Sequence, residues 1–145
     1  MSSQANVIYG RSFGGSDTLI LARIRNPLTG ALVTIASIST ITWTLRDLTA
    51  GTQAGSGSLT PSAVLFDSLQ TGGAWYADSA ASPGDDGSTG YNFSWTISGT
   101  YLQFTPAVDG QGNPLPHVFY ATLTFTPTAG GGFKQVFSFP ALAAY

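Results

Sequence analysis

The chain has 145 residues, 43% of them apolar and 12% aromatic, with no cysteine and a formal net charge of −2. That length closes one hydrophobic core and does not suffice for two ordinary domains. Charged residues amount to 8%, against the roughly 25% typical of globular domains; the five bases, Arg11, Arg23, Arg25, Arg46 and Lys134, are scattered, which excludes the clustered cations of a nucleic-acid partner.

Met1 to Asn6 is polar, with no basic stretch leading into an apolar run, so no secretory signal is expected there. Residues 1–16 read as an N-terminal arm or edge strand, with Val7 to Tyr9 extended, and 17–145 as one sandwich domain. From Thr18 to Arg25, Ile20, Ala22 and Ile24 oppose Leu19, Leu21, Arg23 and Arg25, a strand ended by Asn26-Pro27-Leu28-Thr29-Gly30. Leu32 to Ile35 is a shorter candidate. Ile41, Trp43 and Leu45 then alternate with Thr40, Thr42, Thr44 and Arg46, giving one apolar and one polar face.

Ala50 to Gly57 reads as a loop. Thr60-Pro61 suits a helix start over Ser62 to Leu69, but Ala63 to Phe66 also reads as a strand, which is the preferred reading. Trp75 and Tyr76 lie in a glycine-flanked loop, followed by the turn formers Ser82 to Gly87. Tyr91, Phe93, Trp95 and Ile97 alternate with Asn92, Ser94, Thr96 and Ser98. Tyr101 to Phe104 is another short candidate, and Asp109 to Pro116 a loop. Phe119, Ala121, Leu123 and Phe125 alternate with Tyr120, Thr122, Thr124 and Thr126, and Gly130-Gly131-Gly132 links them to Phe133, Phe137 and Phe139, predicting an antiparallel hairpin. The total is about seven to nine strands, the number expected of an all-β, immunoglobulin-like antiparallel β-sandwich. Its predicted core is Ile41, Trp43, Leu45, Phe93, Trp95, Phe119, Leu123, Phe125 and Phe137.

Gly10-Arg11-Ser12-Phe13-Gly14 matches the nucleophile-elbow pattern G-x-S-x-G, and Asp67 or Asp78 followed by His117 supplies the chain order of a hydrolase triad. The pattern needs a strand feeding a helix, whereas a strand is predicted after it, so Ser12 reads as a loop residue and no catalytic residue is assigned. His117 is the one histidine and the chain has no cysteine, too few ligands for a zinc site; it reads as a rim residue. Asp85-Asp86-Gly87 lacks the closing Glu of a calcium loop, and no metal or cofactor is expected. Asn92-Phe93-Ser94 is a glycosylation sequon inside a strand and reads as chance. Trp75 and Tyr76 suit stacking on a sugar or insertion into a neighbouring subunit.

The stretches Ile41 to Leu48, Val64 to Gln70, Gly90 to Phe93, Ala121 to Pro127 and Phe133 to Pro140 together resemble the small immunoglobulin-like domains of tailed-bacteriophage virion proteins, over roughly residues 38 to 140. Trp43 resembles the buried tryptophan of the third strand of such folds, and Tyr120 the tyrosine-corner position. The resemblance implies a non-enzymatic virion structural protein made in the bacterial cytoplasm, foremost a capsid decoration or cement protein. Its implied partners are copies of itself and other virion proteins, the major capsid protein first, with no nucleic acid or membrane. The expected interface residues are Val7, Ile8, Tyr9, Phe13, Trp75 and Tyr76, the arm adding a strand to a neighbour's sheet. Two alternatives are a tail, neck or baseplate adaptor that anchors a fibre, and a carbohydrate-binding module presenting Trp75, Tyr76 or Tyr101 to a surface glycan.

Overall fold

The computed structural model describes residues 2–4, 7–8, 12–70, 90–105 and 108–142; within the first thirteen, only backbone pairing is described. In chain order the elements are β1 (Ser2–Gln4), β2 (Val7–Ile8), β3 (Ser12–Phe13), β4 (Thr18–Ala22), β5 (Ile38–Asp47), β6 (Thr52–Leu59), a single helical turn α1 (Pro61–Val64), β7 (Leu65–Gln70), β8 (Tyr91–Ile97), β9 (His117–Pro127) and β10 (Phe133–Leu142). Short 3-10 turns cover Ile35–Ser37 and Gly99–Tyr101.

Two sheets form, ordered β2-β4-β8-β7 and β10-β9-β5-β6. This is the A-B-E-D and G-F-C-C′ order of immunoglobulin-type sandwiches. Seven longer strands, β4 to β10, make up sheets of three and four, and the N-terminal pieces attach to both: β2 pairs antiparallel with β4, while β1 and β3 pair parallel with β10. The described residues of the segment read as an arm or edge strand therefore lie along the edges of the chain's own sheets. The predicted hairpin is present, with Phe133 opposite Phe125 and Phe139 opposite Phe119.

Strict alternation explains why these strands pack as they do. On β5 and β9 the odd-numbered residues from Ile41 to Asp47 and from His117 to Phe125 are buried and the even ones turn outward, because successive side chains point to opposite faces. Ile41, Trp43, Leu45, Phe93, Trp95, Phe119, Leu123, Phe125 and Phe137 all lie in the core. Phenylalanines bind the layers together: Phe93 of β8 stacks on Phe137 at 5.9 Å and meets Phe125 edge-on at 6.3 Å, and Phe125 stacks on Phe133 at 5.1 Å. Burying each such side chain contributes about 1.5–3 kcal/mol.

Several local expectations differ from the structure. Thr52 to Leu59, with Gly55 and Gly57, forms a full edge strand where a loop was expected. Facing Leu45 and Trp43, these glycines leave the space that rings occupy: a Cβ on Gly57 would stand 2.9 Å from Trp43 Nε1, and one on Gly55 would meet the Tyr101 ring, 2.8 Å from Cε1. Leu32 makes only an isolated bridge to Arg25, and Tyr101 to Phe104 is a 3-10 turn running into irregular chain. Around Pro61 one helical turn precedes the strand, so both readings hold in part. Tyr120 does not occupy a tyrosine corner: its even position on β9 points it outward, and it is 40% exposed.

Asn92 overturns the parity expectation most clearly. Assigned to a polar outer face, it is buried beside Phe93, its Oδ1 accepting from Ile24 N at 2.7 Å while its Nδ2 donates to Ile24 O at 3.0 Å and Val33 O at 2.9 Å. One side chain thus satisfies the main chain on both sides of the 26–31 turn. A buried amide engaged three times also has no free position for a glycan.

Candidate functional site

His117 and Asp47 lie at the adjoining ends of β9 and β5, where Asp47 pairs with Phe119 across the strands. Both point inward, and His117 Nδ1 sits 2.7 Å from Asp47 Oδ2, with the side chains 8% and 6% exposed. The histidine expected at the rim is therefore buried, against a carboxylate 70 residues away in sequence. The following turn holds that carboxylate, Ala50 N donating to Asp47 Oδ1 at 3.0 Å, and is itself closed by Gly51 N donating to the Asp47 main-chain carbonyl at 2.8 Å. Phe104 stacks on the imidazole at 4.1 Å and 22°.

A carboxylate accepting from Nδ1–H fixes the ring's tautomer and orientation, which is half of a triad's geometry. The other half is not assembled from the residues the sequence suggested. Ser12 lies in β3, opposite Ala141, and the chain then turns into β4 without a helix, so the nucleophile-elbow context is missing. Asp67 accepts from Ile35 N at 2.8 Å instead of serving His117, and Asp78 lies outside the described residues. Among the described residues no cluster of three or more His, Asp, Glu or Cys is placed to hold a metal ion; Asp85 and Asp86 lie outside them.

The outer face of the four-stranded sheet is built on a ladder of threonines. Thr40, Thr42 and Thr44 of β5 stand opposite Thr126, Thr124 and Thr122 of β9, and Ser58 and Ser56 of β6 continue the Thr42 and Thr44 rows. Cross-strand hydroxyl pairs of this kind support the sheet. Two cations stand on the face: Lys134 at its β10 side, exposed, and Arg46, which donates to Gly51 O at 3.0 Å. At the β9 N-terminal end the surface becomes apolar, with Leu48, Leu115, Val118 and Tyr120 between 37% and 43% exposed.

At the β6 side, Trp43 meets Tyr101 edge-on at 5.0 Å and Trp95 at 5.4 Å. Tyr101 is half-buried against this cluster. Of the expected interface residues, Val7 and Ile8 pair with Ala22 and Leu21, and Phe13 with Leu142; their side chains, and Tyr9, Trp75 and Tyr76 altogether, lie outside the described residues. A shallow cleft of about 240 Å³ opens between the 26–31 turn and the β9–β10 turn, lined by Asn26, Leu32, Ser37, Pro127 and Thr128 among others, with no charged side chain.

Asp109 organises the exposed loop before β9. Its carboxyl is held below the ordinary aspartate value by hydrogen bonds from the Asn113 main chain, the Asn113 side chain and the Gln111 main chain, with Gln111 N at 2.8 Å and Asn113 N at 3.0 Å from Oδ1. These bonds shape the turn. No described helix is long and apolar enough to cross a membrane. Compared with protein-family models, curated proteins and solved structures, the chain matches none.

Proposed function

We propose that this chain is a non-enzymatic structural protein of a tailed-bacteriophage virion, made in the bacterial cytoplasm and bound in many copies to the outer capsid shell as a decoration protein. The observation that carries the reading is the outer face of the four-stranded sheet: a threonine ladder with two cations and, at one end, exposed Leu48, Leu115, Val118 and Tyr120. A surface with so little charge lacks the self-repulsion that keeps proteins apart. It suits dense packing on a repeating lattice, where symmetry multiplies modest contacts. The virion assignment itself rests on the sequence resemblance.

The strand pairing shifts the expected mode of attachment. Residues of the N-terminal segment are engaged with β4 and β10 of the same chain, so docking falls to the sheet face instead of a donated arm. Mass spectrometry of purified particles, quantified against the major shell protein, tests the reading. Hundreds of copies per particle are expected. A handful would move the chain to a tail, neck or baseplate adaptor, and absence from the particles would overturn the virion assignment. Attachment lost in a Tyr120→Asp, Val118→Asp variant that keeps its fold would tie binding to this face.

A further inference from the structure

The two edges of the four-stranded sheet are treated differently. Along β10 the chain closes the edge with its own β1 and β3. On the opposite side, β6 pairs only with β5 among the described residues. An exposed strand edge presents main-chain donors and acceptors that invite another strand, and charges, prolines or bulges commonly protect it. Here the protection is partial. Gly55 pairs with Leu45 and Gln53 with Arg46, so Ala54 is bulged out, but from Gly55 to Leu59 the register is regular and proline-free. No charged residue occurs anywhere from Leu48 to Phe66. Among the described residues the smaller sheet offers no comparable edge: β2 has two residues, and β7 is irregular between Leu65 and Gln70 and carries Asp67.

We infer that β6 is a self-association edge, occupied by β6 of a second copy in antiparallel register about a two-fold axis through Gly57. An axis perpendicular to the sheet keeps inner residues beside inner residues, so Gly55 stands opposite the second copy's Leu59, Ser56 opposite its Ser58, and Gly57 opposite itself. Each pair suits the other. Leu59, partly buried on the inner face, falls beside Gly55, where the Tyr101 ring lies against the backbone, so each copy's leucine packs on the other's tyrosine. The serine pairs are neutral, and with no charge on the strand no like charges meet. The contact is isologous, with each copy using the same β6 edge, so it closes at two copies instead of growing into a fibre. This inference rests on the edge alone and is independent of the virion assignment.

The test is the mass of the purified 145-residue chain by light scattering or sedimentation. A contact of five residue pairs lies at the weak end of interface sizes, so measurement extends to concentrations on the order of 1 mM. Twice the monomer mass is expected at the upper end. Ser56→Lys with Ser58→Lys sets like charges opposite each other on an exposed face and should return the chain to monomer with its circular-dichroism spectrum unchanged; Ser56→Asp with Ser58→Asp should do the same. Mixing the two variants sets each lysine of one copy opposite an aspartate of the other across the axis, and should restore the dimer at lower concentration than wild type needs. A wild-type chain that stays monomeric throughout, or a dimer indifferent to the lysines, would overturn the inference. Failure of the mixture to reassociate would overturn the assigned register.

Discussion

Replacing Asn92 by alanine removes three hydrogen bonds from one buried point. Ile24 N loses the acceptor it has at 2.7 Å, and Val33 O loses a donor at 2.9 Å, while Ile24 O keeps a bond from Val33 N at 3.0 Å. Ile24 and Val33 are both buried, so water does not readily replace what is lost. Leaving a buried donor unsatisfied costs about 1–3 kcal/mol, and the Val33 carbonyl adds about 1 kcal/mol more. The loss of about 2–4 kcal/mol is a large part of the roughly 5–15 kcal/mol that stabilises a domain. With a urea m-value of about 1–3 kcal/mol/M, the midpoint should fall by about 1–2 M without a change in m, read from tryptophan fluorescence. Asn92→Asp sharpens the test. One carboxylate oxygen still serves Ile24 N, but the other faces two carbonyls where an NH₂ stood. The folded state then favours the protonated acid, so the variant's carboxyl is raised above its unfolded value. Its folded state binds the proton more tightly, and stability rises as pH falls through that raised value towards the unfolded one. Asn92→Ala has no such dependence. A loss below about 1 kcal/mol for alanine, or identical pH profiles for the two variants, would refute the role assigned to this amide.

The His117–Asp47 contact predicts strong coupling. Either alanine substitution leaves a buried hydrogen-bonding partner unsatisfied and should cost about 1–3 kcal/mol, with the double variant well short of the sum in a thermodynamic cycle. Gly57→Ala forces Trp43 from its place and should cost about 1–3 kcal/mol with a shift in tryptophan emission, whereas Gly110→Ala, where a new Cβ meets nothing within 4 Å, should be neutral in the same melt. For Asp109 the folded-state carboxyl is depressed, so the order it confers on its loop is complete above the ordinary aspartate value and is lost as pH falls through the lowered one. The Gln111 and Asn113 amide resonances should move together in that window, and constant shifts down to full protonation would contradict it.

The long strands were legible because burial of one face imposes a period of two on the sequence, and β5, β8, β9 and β10 write it in large residues. β6 was not legible for a reason visible only across strands. Its Gly55 and Gly57 read as a loop, yet each is small because Trp43 or Tyr101 fills the place of its side chain, and nothing within Thr52 to Leu59 announces those rings. Asn92 and His117 mislead for a related reason. Sequence neighbours alone place the one outward, as a polar residue in an alternating strand, and the other at the rim, as a residue following prolines. Their partners lie 59 to 70 residues away. A polar residue can enter a sandwich interior when a distant main chain or carboxylate meets its hydrogen-bonding demand, and local periodicity carries no trace of that partner. Tyr120 shows the converse: the same parity that buries Phe119 and Ala121 fixes it outward whatever motif its identity suggests. Parity therefore outranks motif on a strand with one buried face, and long-range hydrogen bonding outranks parity. The residues where the second rule applies, Asn92 and the His117–Asp47 pair, are those whose substitution should do most harm for the fewest atoms removed.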